Sequence, residues 1–344
     1  MKTAPVALSL NKKPPVDSVP RSPARSVQDI LASDAKPPQA VLLIDSPRDM
    51  GRDDVSLDRY YTREWHDREI KTVWQKTWQM ACREEDIPNV GDTEIYEIVH
   101  DSLIIVRTGS SPTDIRAYVN SCLHRGTILC TEAGNLRHIK CPVHGITWGL
   151  DGKLAGLPNA WDFPQIDRKT FNLPEAKVGL WAGFVFINFD PNCEPLESYL
   201  ECLPEHFKAF NTDNRYKAFH GGKILPCNWK LAQEAFMEGM HIAATHPQSV
   251  EYTADTNTQY DIFDGRHVNR FVMPEGVASP ALGNYPEQKI ADAMRRDIAF
   301  YSNREIELTK GKALGEKLPI TRGRVFPNRQ VATFQINPLA NRSI

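Results

Sequence analysis

No run of about eighteen apolar residues occurs in this chain, so no membrane-spanning helix is expected. Neither sign of charge dominates: 41 Lys and Arg stand against 43 Asp and Glu. That balance gives a nucleic-acid polyanion little to hold, so nucleic acid is not an expected partner. Cysteine is sparse. There are seven, an odd number without a paired framework, as in a chain kept in reducing cytoplasm. No internal repeat is found, and no nicotinamide or flavin motif. Any redox chemistry must then draw its electrons from partner proteins. The short apolar run from Ala4 to Leu10 meets Lys12-Lys13 and prolines at once, with no small-residue cleavage site. That argues against a secretory signal and leaves a cytoplasmic location as the expectation.

Two of the cysteines lie in Cys122-Leu-His124-Arg-Gly and Cys141-Pro-Val-His144-Gly, a C-x-H-x16-C-x-x-H spacing. Two thiolates and two imidazoles suit a tetrahedral zinc ion. They equally suit a Rieske [2Fe–2S] cluster, in which two Cys hold one iron and two His the other. Zinc fingers usually pair Cys with Cys and His with His along the chain. Here each short loop supplies one of each, which favours two similar loops clamping a two-iron cluster from both sides. Gly126 and Gly145 suit tight loops whose amides face the cluster sulfurs. Cys82, Cys130, Cys193, Cys202 and Cys227 have no comparable setting. Cys130, close to the first loop, is read as a small buried apolar residue.

A second motif runs Asn228-Trp229-Lys230-Leu-Ala-Gln-Glu234-Ala-Phe-Met-Glu238-Gly-Met-His241-Ile-Ala-Ala-Thr-His246-Pro247. Ala, Leu, Met, Glu and Gln dominate residues 229–243, so one helix is expected there. Glu238 and His241 share a face at that spacing. Pro247 disfavours the helical conformation at His246, so the helix should end before it and let His246 swing back towards His241. Two imidazoles and one carboxylate would make the facial triad of a non-haem Fe(II) oxygenase.

From about Tyr60 onwards the chain resembles the large (alpha, terminal oxygenase) subunit of Rieske non-haem iron oxygenases, the ring-hydroxylating class. The cluster motif alone is shared with Rieske ferredoxins and respiratory Rieske proteins; the second motif separates them. The resemblance implies an α+β chain, with a small all-β Rieske domain and an α+β catalytic domain on a helix-grip-like antiparallel sheet. It assigns Cys122, His124, Cys141 and His144 to a [2Fe–2S] cluster, and His241 and His246 to a mononuclear Fe(II). It makes Glu238 the acid that bridges to the neighbouring subunit's His144 in a head-to-tail homotrimer. Electrons would come from NAD(P)H through a flavin reductase and a ferredoxin. O2 would then hydroxylate or cis-dihydroxylate an apolar, aromatic substrate. A small beta subunit accompanies some members. Two other readings stay open: an electron-transfer module without mononuclear iron, and a zinc-stabilised structural protein.

The expected organisation is a disordered Pro-rich tail (1–54), a helical segment packing on the catalytic domain (55–92), the Rieske domain (93–192) and the catalytic domain (193–344). Within these, helices are expected at Tyr61–Cys82, Pro195–Phe210 and Gln288–Asn303. Strands are expected at 94–99 and 103–107, at 181–189 and at 223–226. Departures from the family pattern are Ala235 for Asn, Met240 for Tyr, and Ile146 after the second His-Gly, with Trp148 two places on. Glu234 is either a surface residue or a support for the ligands. The family's third iron ligand is a carboxylate on a late helix. Asp255, Asp261, Asp264, Asp292, Asp297 and Glu305 follow His246, and none stands at that place. A C-terminally truncated catalytic domain is the expectation.

Overall fold

The computed structural model describes residues 24–33, 38–44, 53–210, 212–217, 220, 224–256, 258–263 and 267–294, with two further strands at 318–319 and 330–336. Residues 24–33 and 38–44 carry regular structure within the Pro-rich stretch. Helix α1 (Val27–Ala32) is capped by Ser26, whose side chain accepts from the Asp29 amide while Asp29 reaches back. This capping box compensates a helix of only six residues. Val27, Ile30 and Leu31 share its buried face. Part of the expected disordered tail is therefore a docked strap: the apolar spacing gives it something to bury.

Helices α2 (Asp58–Tyr61) and α3 (Arg63–Glu69) follow, and a π turn carries the chain to Trp74. The helix expected to reach Cys82 stops there. Trp78 leaves the helical path because its ring packs with Phe186 and Leu196. Its indole N–H donates to the Glu194 carbonyl at 2.8 Å. The chain then enters a strand.

Ten strands come next: β1 (Gln79–Arg83), β2 (Asp92–Ile98), β3 (Asp101–Arg107), β4 (Ile115–Val119), β5 (Gly134–Asn135), β6 (Ile139–Lys140), β7 (Thr147–Trp148), β8 (Leu154–Gly156), β9 (Glu175–Trp181) and β10 (Phe184–Asn188). Seven of them form one sheet in the order β1-β10-β9-β4-β3-β2-β5. The sheet thus begins with β1, before residue 93. β6, β7 and β8 form a separate small sheet. The apolar run Leu103-Ile-Ile-Val is explained by burial on both faces. Leu103 and Ile105 meet Ile87, Val185 and Ile187 on one side. Ile104 and Val106 meet Cys122, Cys141 and Trp148 on the other. The single strand expected over 181–189 is a hairpin corner, because Ala182 and Gly183 both take positive φ, 54° and 80°. That is the two-residue turn whose twist suits paired strands.

Helices α4 (Leu196–Leu200) and α5 (Leu203–Phe207) replace the one helix expected over 195–210. Pro204, in the first turn of α5, cannot continue the helical hydrogen bonds of a preceding turn. No strand forms over 224–226; Lys223 lies outside the described residues. The second unit carries β11 (Arg215–Tyr216), helices α6 (Trp229–Glu234) and α7 (Ile242–Thr245), and strands β12 (Gln259–Ile262), β13 (Val268–Pro274), β14 (Leu318–Pro319) and β15 (Gln330–Ile336). β12, β13 and β15 form an antiparallel sheet with β13 central. Residues 287–294 are helical, and the rest of the stretch expected to run to Asn303 lies outside the described residues. Trp78, Phe186, Tyr199, Leu203 and Val268 form one buried cluster joining the two units. α1 lies on β13 through Val27, Leu31, Leu42 and Val272. Arg270, fully buried and paired with Asp261 at 2.5 Å, donates to the carbonyls of Val41 and Ile44 and so pins the strap.

Candidate metal centres

The two Cys-His loops are built alike. The Cys122 amide donates to the Thr127 carbonyl at 2.8 Å, and the Gly126 amide donates back to the Cys122 carbonyl at 2.8 Å. In the second loop the Cys141 amide donates to the Ile146 carbonyl at 2.8 Å, and the Gly145 amide to the Cys141 carbonyl at 3.1 Å. The two glycines have φ of 72° and 70°. L-residues rarely adopt that conformation, which is why glycine closes both loops. Cys122 and Cys141 are buried in the core between the two sheets.

The loops bring like ligands together. The Cys122 and Cys141 thiols lie close enough to act on each other's ionisation. The His124 and His144 rings stand 4.7 Å apart at 66°. Burial pushes the Cys122 thiol up, against the pull of the His124 and Arg125 amides. At Cys141 burial also pushes up, but the Val143 and His144 amides and the Cys122 thiol outweigh it, and this thiol is lowered. Amides aimed at sulfur favour thiolate, the form that binds metal. His124 Nδ1 is buried and has no hydrogen-bond partner, an expensive arrangement unless a metal takes it. Two sulfurs on one side and two imidazoles on the other fit a [2Fe–2S] cluster with a Cys pair and a His pair. Among the described residues, no three His, Cys, Asp or Glu side chains converge on one point as ligands of a single ion would.

Sequence reasoning missed two supports of this site. Asn120 is buried; its side-chain oxygen accepts from the Leu129 and Cys130 amides at 3.1 and 2.9 Å, and its amide donates to the Cys130 carbonyl at 2.7 Å. It pins the return of the first loop, and its signal is a lone Asn ending an apolar strand just before the first cysteine. Phe163 packs edge-on against His124 at 5.7 Å. No sequence signal marks it.

The second motif does not form one helix. α6 stops at Glu234, a turn spans 235–241, and α7 begins at Ile242. The break lies at Gly239, packed so tightly on the Asp255 carbonyl that an added Cβ would come within 2.5 Å of it. Glu238 then works as a local cap. Its carboxylate accepts from the His241 amide at 3.1 Å and from His241 Nδ1 at 2.5 Å. Burial pushes the Glu238 carboxyl up, but these bonds from His241 prevail and lower it. A carboxylate at Nδ1 favours the tautomer that leaves Nε2 for a metal, the usual arrangement around a ligating imidazole. α7 ends at Thr245, and the His246 ring stands 5.4 Å from that of His241.

These two imidazoles would supply two of the three ligands a mononuclear iron needs. Among the described residues no third acid joins them. Asp261 is taken by Arg270, and Asp292 is exposed and bonds Gln288. Asp255 is buried close to Gly239 with Oδ1 unpartnered, yet makes no group with the histidines. Asp264, Asp297 and Glu305 lie outside the described residues. Glu234 accepts from the Tyr60 hydroxyl at 2.7 Å, so it supports the N-terminal helices.

Comparison with known proteins agrees with this geometry. Residues 77–167 match the Rieske [2Fe-2S] domain, and residues 205–316 match the ring hydroxylating alpha subunit (catalytic domain). Chlorobenzene dioxygenase subunit alpha of Cupriavidus sp. (strain PS12) is 31% identical over 202 residues, 57% of this chain and 44% of that one. The carnitine monooxygenase oxygenase subunit of Escherichia coli (strain K12) is 30% identical over 239 residues, 68% of this chain and 62% of that one. The crystal structure of a quaternary ammonium Rieske monooxygenase with L-carnitine is similar with a TM-score of 0.54 at 25% identity, covering 65% of this chain and 67% of that one. The chain spans less than half the length of the dioxygenase alpha subunits it matches. The two domains imply a [2Fe–2S] cluster and a mononuclear iron. Carrying both domains in order along one polypeptide, the chain belongs to the family of Rieske-type ring-hydroxylating oxygenase alpha subunits.

Proposed function

We propose that the chain is the terminal oxygenase component of a multicomponent system. It would take electrons that originate in NAD(P)H and arrive through a flavin reductase and a ferredoxin. It would use O2 to hydroxylate or cis-dihydroxylate an apolar, aromatic substrate. The observation that carries this reading is His241, held at Nδ1 by Glu238 and facing His246, on the same chain as the paired Cys-His loops. Cys122, Cys141, His124 and His144 would hold the cluster, and His241 and His246 the mononuclear iron. When bound, the cluster supplies single electrons and the mononuclear iron supplies O2 activation.

The chain's own residues prepare for this. The Cys loops direct amides at sulfur and exclude water from both cysteines. Glu238 sets the tautomer and the aim of His241. His144 is exposed and Glu238 is only half-buried. Next to them along the chain, Val143 is exposed beside the one, and Phe236 and Met240 are exposed near the other. Two such patches, each built around one metal-linked group, support a head-to-tail homotrimer in which Glu238 also reaches the neighbouring subunit's His144. A closed heterologous ring satisfies both patches.

For the substrate, the relatives' names divide. Chlorobenzene, benzene and biphenyl appear among them, and Phe236, Met237 and Met240 give the His241 turn an apolar character. The carnitine enzyme matches more of this chain, so a quaternary ammonium compound is the competitor to test. A second reading, an electron-transfer module, draws on one observation: no third ligand stands among the described residues.

One experiment separates these. Reduced, anaerobically purified protein is examined by EPR, and iron and acid-labile sulfide are counted on the same sample. The oxygenase reading expects a Rieske signal with about two sulfides and about three irons per chain. The same signal with only cluster iron supports the electron-transfer module. Zinc without sulfide removes both. Turnover of aromatic against quaternary ammonium compounds then assigns the substrate.

A further inference from the structure

We propose that Glu69 is a positioning residue for the mononuclear iron ligands, and that the Trp229-Lys230 pair of the second motif serves to engage it. This rests on the reading of His241 and His246 as iron ligands. Glu69 ends α3 and Lys230 stands in α6; they are 5% and 6% exposed. The Lys230 ammonium pairs directly with Glu69 Oε1. Trp229 Nε1 donates to Glu69 Oε2 at 3.0 Å. Each carboxylate oxygen thus takes one of two consecutive residues, which fixes α6 in rotation as well as in place.

The neighbouring contacts point the same way. Trp74 packs edge-on against Trp229 at 4.9 Å. The Lys230 ammonium also lies over the Tyr60 ring at 5.6 Å. Asn228 caps α6 through the Lys230 amide at 3.0 Å and donates to the Tyr60 carbonyl at 3.1 Å. The Tyr60 hydroxyl donates to Glu234 at 2.7 Å. Asn228, Trp229, Lys230 and Glu234 therefore all engage the segment between Tyr60 and Trp74.

Chain connectivity makes this seam consequential. Beyond Trp74 the polypeptide runs directly into β1, an edge of the sheet on which the cluster loops rest. Beyond Glu234 it runs directly into the turn that carries Glu238, His241 and His246. α6 has six residues and α7 four. Helices that short cannot hold an orientation unaided. A buried ion pair adds little net stability, but losing one partner strands the other charge and breaks the geometry. The pair thus locks the segment entering the cluster-bearing sheet to the segment bearing the iron ligands.

The test uses the full chain and four variants: Glu69→Gln, Glu69→Leu, Lys230→Met, and Glu69→Leu with Lys230→Met. Iron beyond the cluster is titrated on each. The Rieske EPR signal and sulfide content serve as internal controls, and hydrogen exchange is followed at 235–246 and in the two cluster loops. Each single variant should keep the cluster signal, bind the extra iron about tenfold or more weakly, and exchange faster at 235–246 only. The double variant, with an apolar pair in the same space, should recover much of the affinity. Glu69→Gln is the mildest change, and it secures the test should Leu or Met prevent folding. Unchanged iron affinity and exchange in Glu69→Gln, beside wild-type protein that does hold the third iron, overturns the inference alone. Equal loss in the cluster loops and at 235–246 overturns it too, since that is general destabilisation. Wild-type protein without iron beyond the cluster removes the reading beneath it.

Discussion

The cluster loops close on themselves, whereas the His241–His246 segment borrows its orientation from distant residues. In each cluster loop the Cys backbone bonds a residue five positions on and a glycine four positions on, and both cysteines sit in the core. Around His241 the local contacts are the Glu238 carboxylate and single-turn backbone bonds such as the Thr245 amide to the His241 carbonyl at 2.7 Å, while the elements on either side are placed from afar. α6 is held from Tyr60, Glu69 and Trp74, and the turn is seated against Asp255. The cluster site is a local motif set in a sheet sandwich. The iron site is a tertiary assembly of short pieces, and it should be the more easily disturbed.

Mutation of the proposed ligands breaks the comparison most. Cys141→Ser should abolish the Rieske EPR signal and the acid-labile sulfide completely, because the bound sulfur is lost. His246→Ala should leave signal and sulfide intact while removing the iron beyond the cluster. If His246→Ala also erased the cluster signal, the two regions would not be separable as described.

A subtler change strains the cluster half alone. Gly152 has φ of 74°, and an added Cβ would fall 2.4 Å from the Tyr118 ring. Gly152→Ala should cost about 1–3 kcal/mol in chemical denaturation followed by cluster absorbance. Iron binding at His241 and His246 should be unchanged.

The smallest expected effect lies in the other half and concerns pH. His206 is buried; its Nδ1 bonds the Cys202 carbonyl at 2.8 Å, and Nε2 faces Arg270 at 3.2 Å. Burial chiefly, and the Arg270 charge, lower its pKa from 6.5, against the Cys202 carbonyl, Asp261 and Glu205. Between its unfolded and folded values the unfolded chain binds the extra proton, so stability falls as pH drops below about 6.5. Because Arg270 also holds the strap carbonyls, hydrogen exchange at 26–44 should accelerate on acidification while the cluster loops stay protected. His206→Gln should flatten that dependence.

Much of the geometry of the two Cys-His loops was legible because its information is local. Two residue types at fixed spacing, each followed by a glycine, imply both the donor set and the loop. The sheet was legible from apolar strands such as 103–106. The helices were read too long. Residues 61–82, 195–210 and 229–243 each carry helix-favouring composition, yet each is interrupted: by Trp78 reaching Glu194, by Pro204, and by Gly239 against Asp255. Two of these three causes are contacts with a partner remote along the chain, which periodicity cannot register. The strap was missed because prolines masked three apolar residues at helical spacing.

By itself, then, the sequence determined how the two Cys-His loops close, since hydrogen bonds across four or five residues need no distant partner. Only the tertiary structure decided that sulfur meets sulfur and imidazole meets imidazole, that Glu238 turns onto its own His241, and that Trp229 and Lys230 spend their polar groups on Glu69. Those outcomes depend on which surfaces are buried together, and burial is a property of the whole fold.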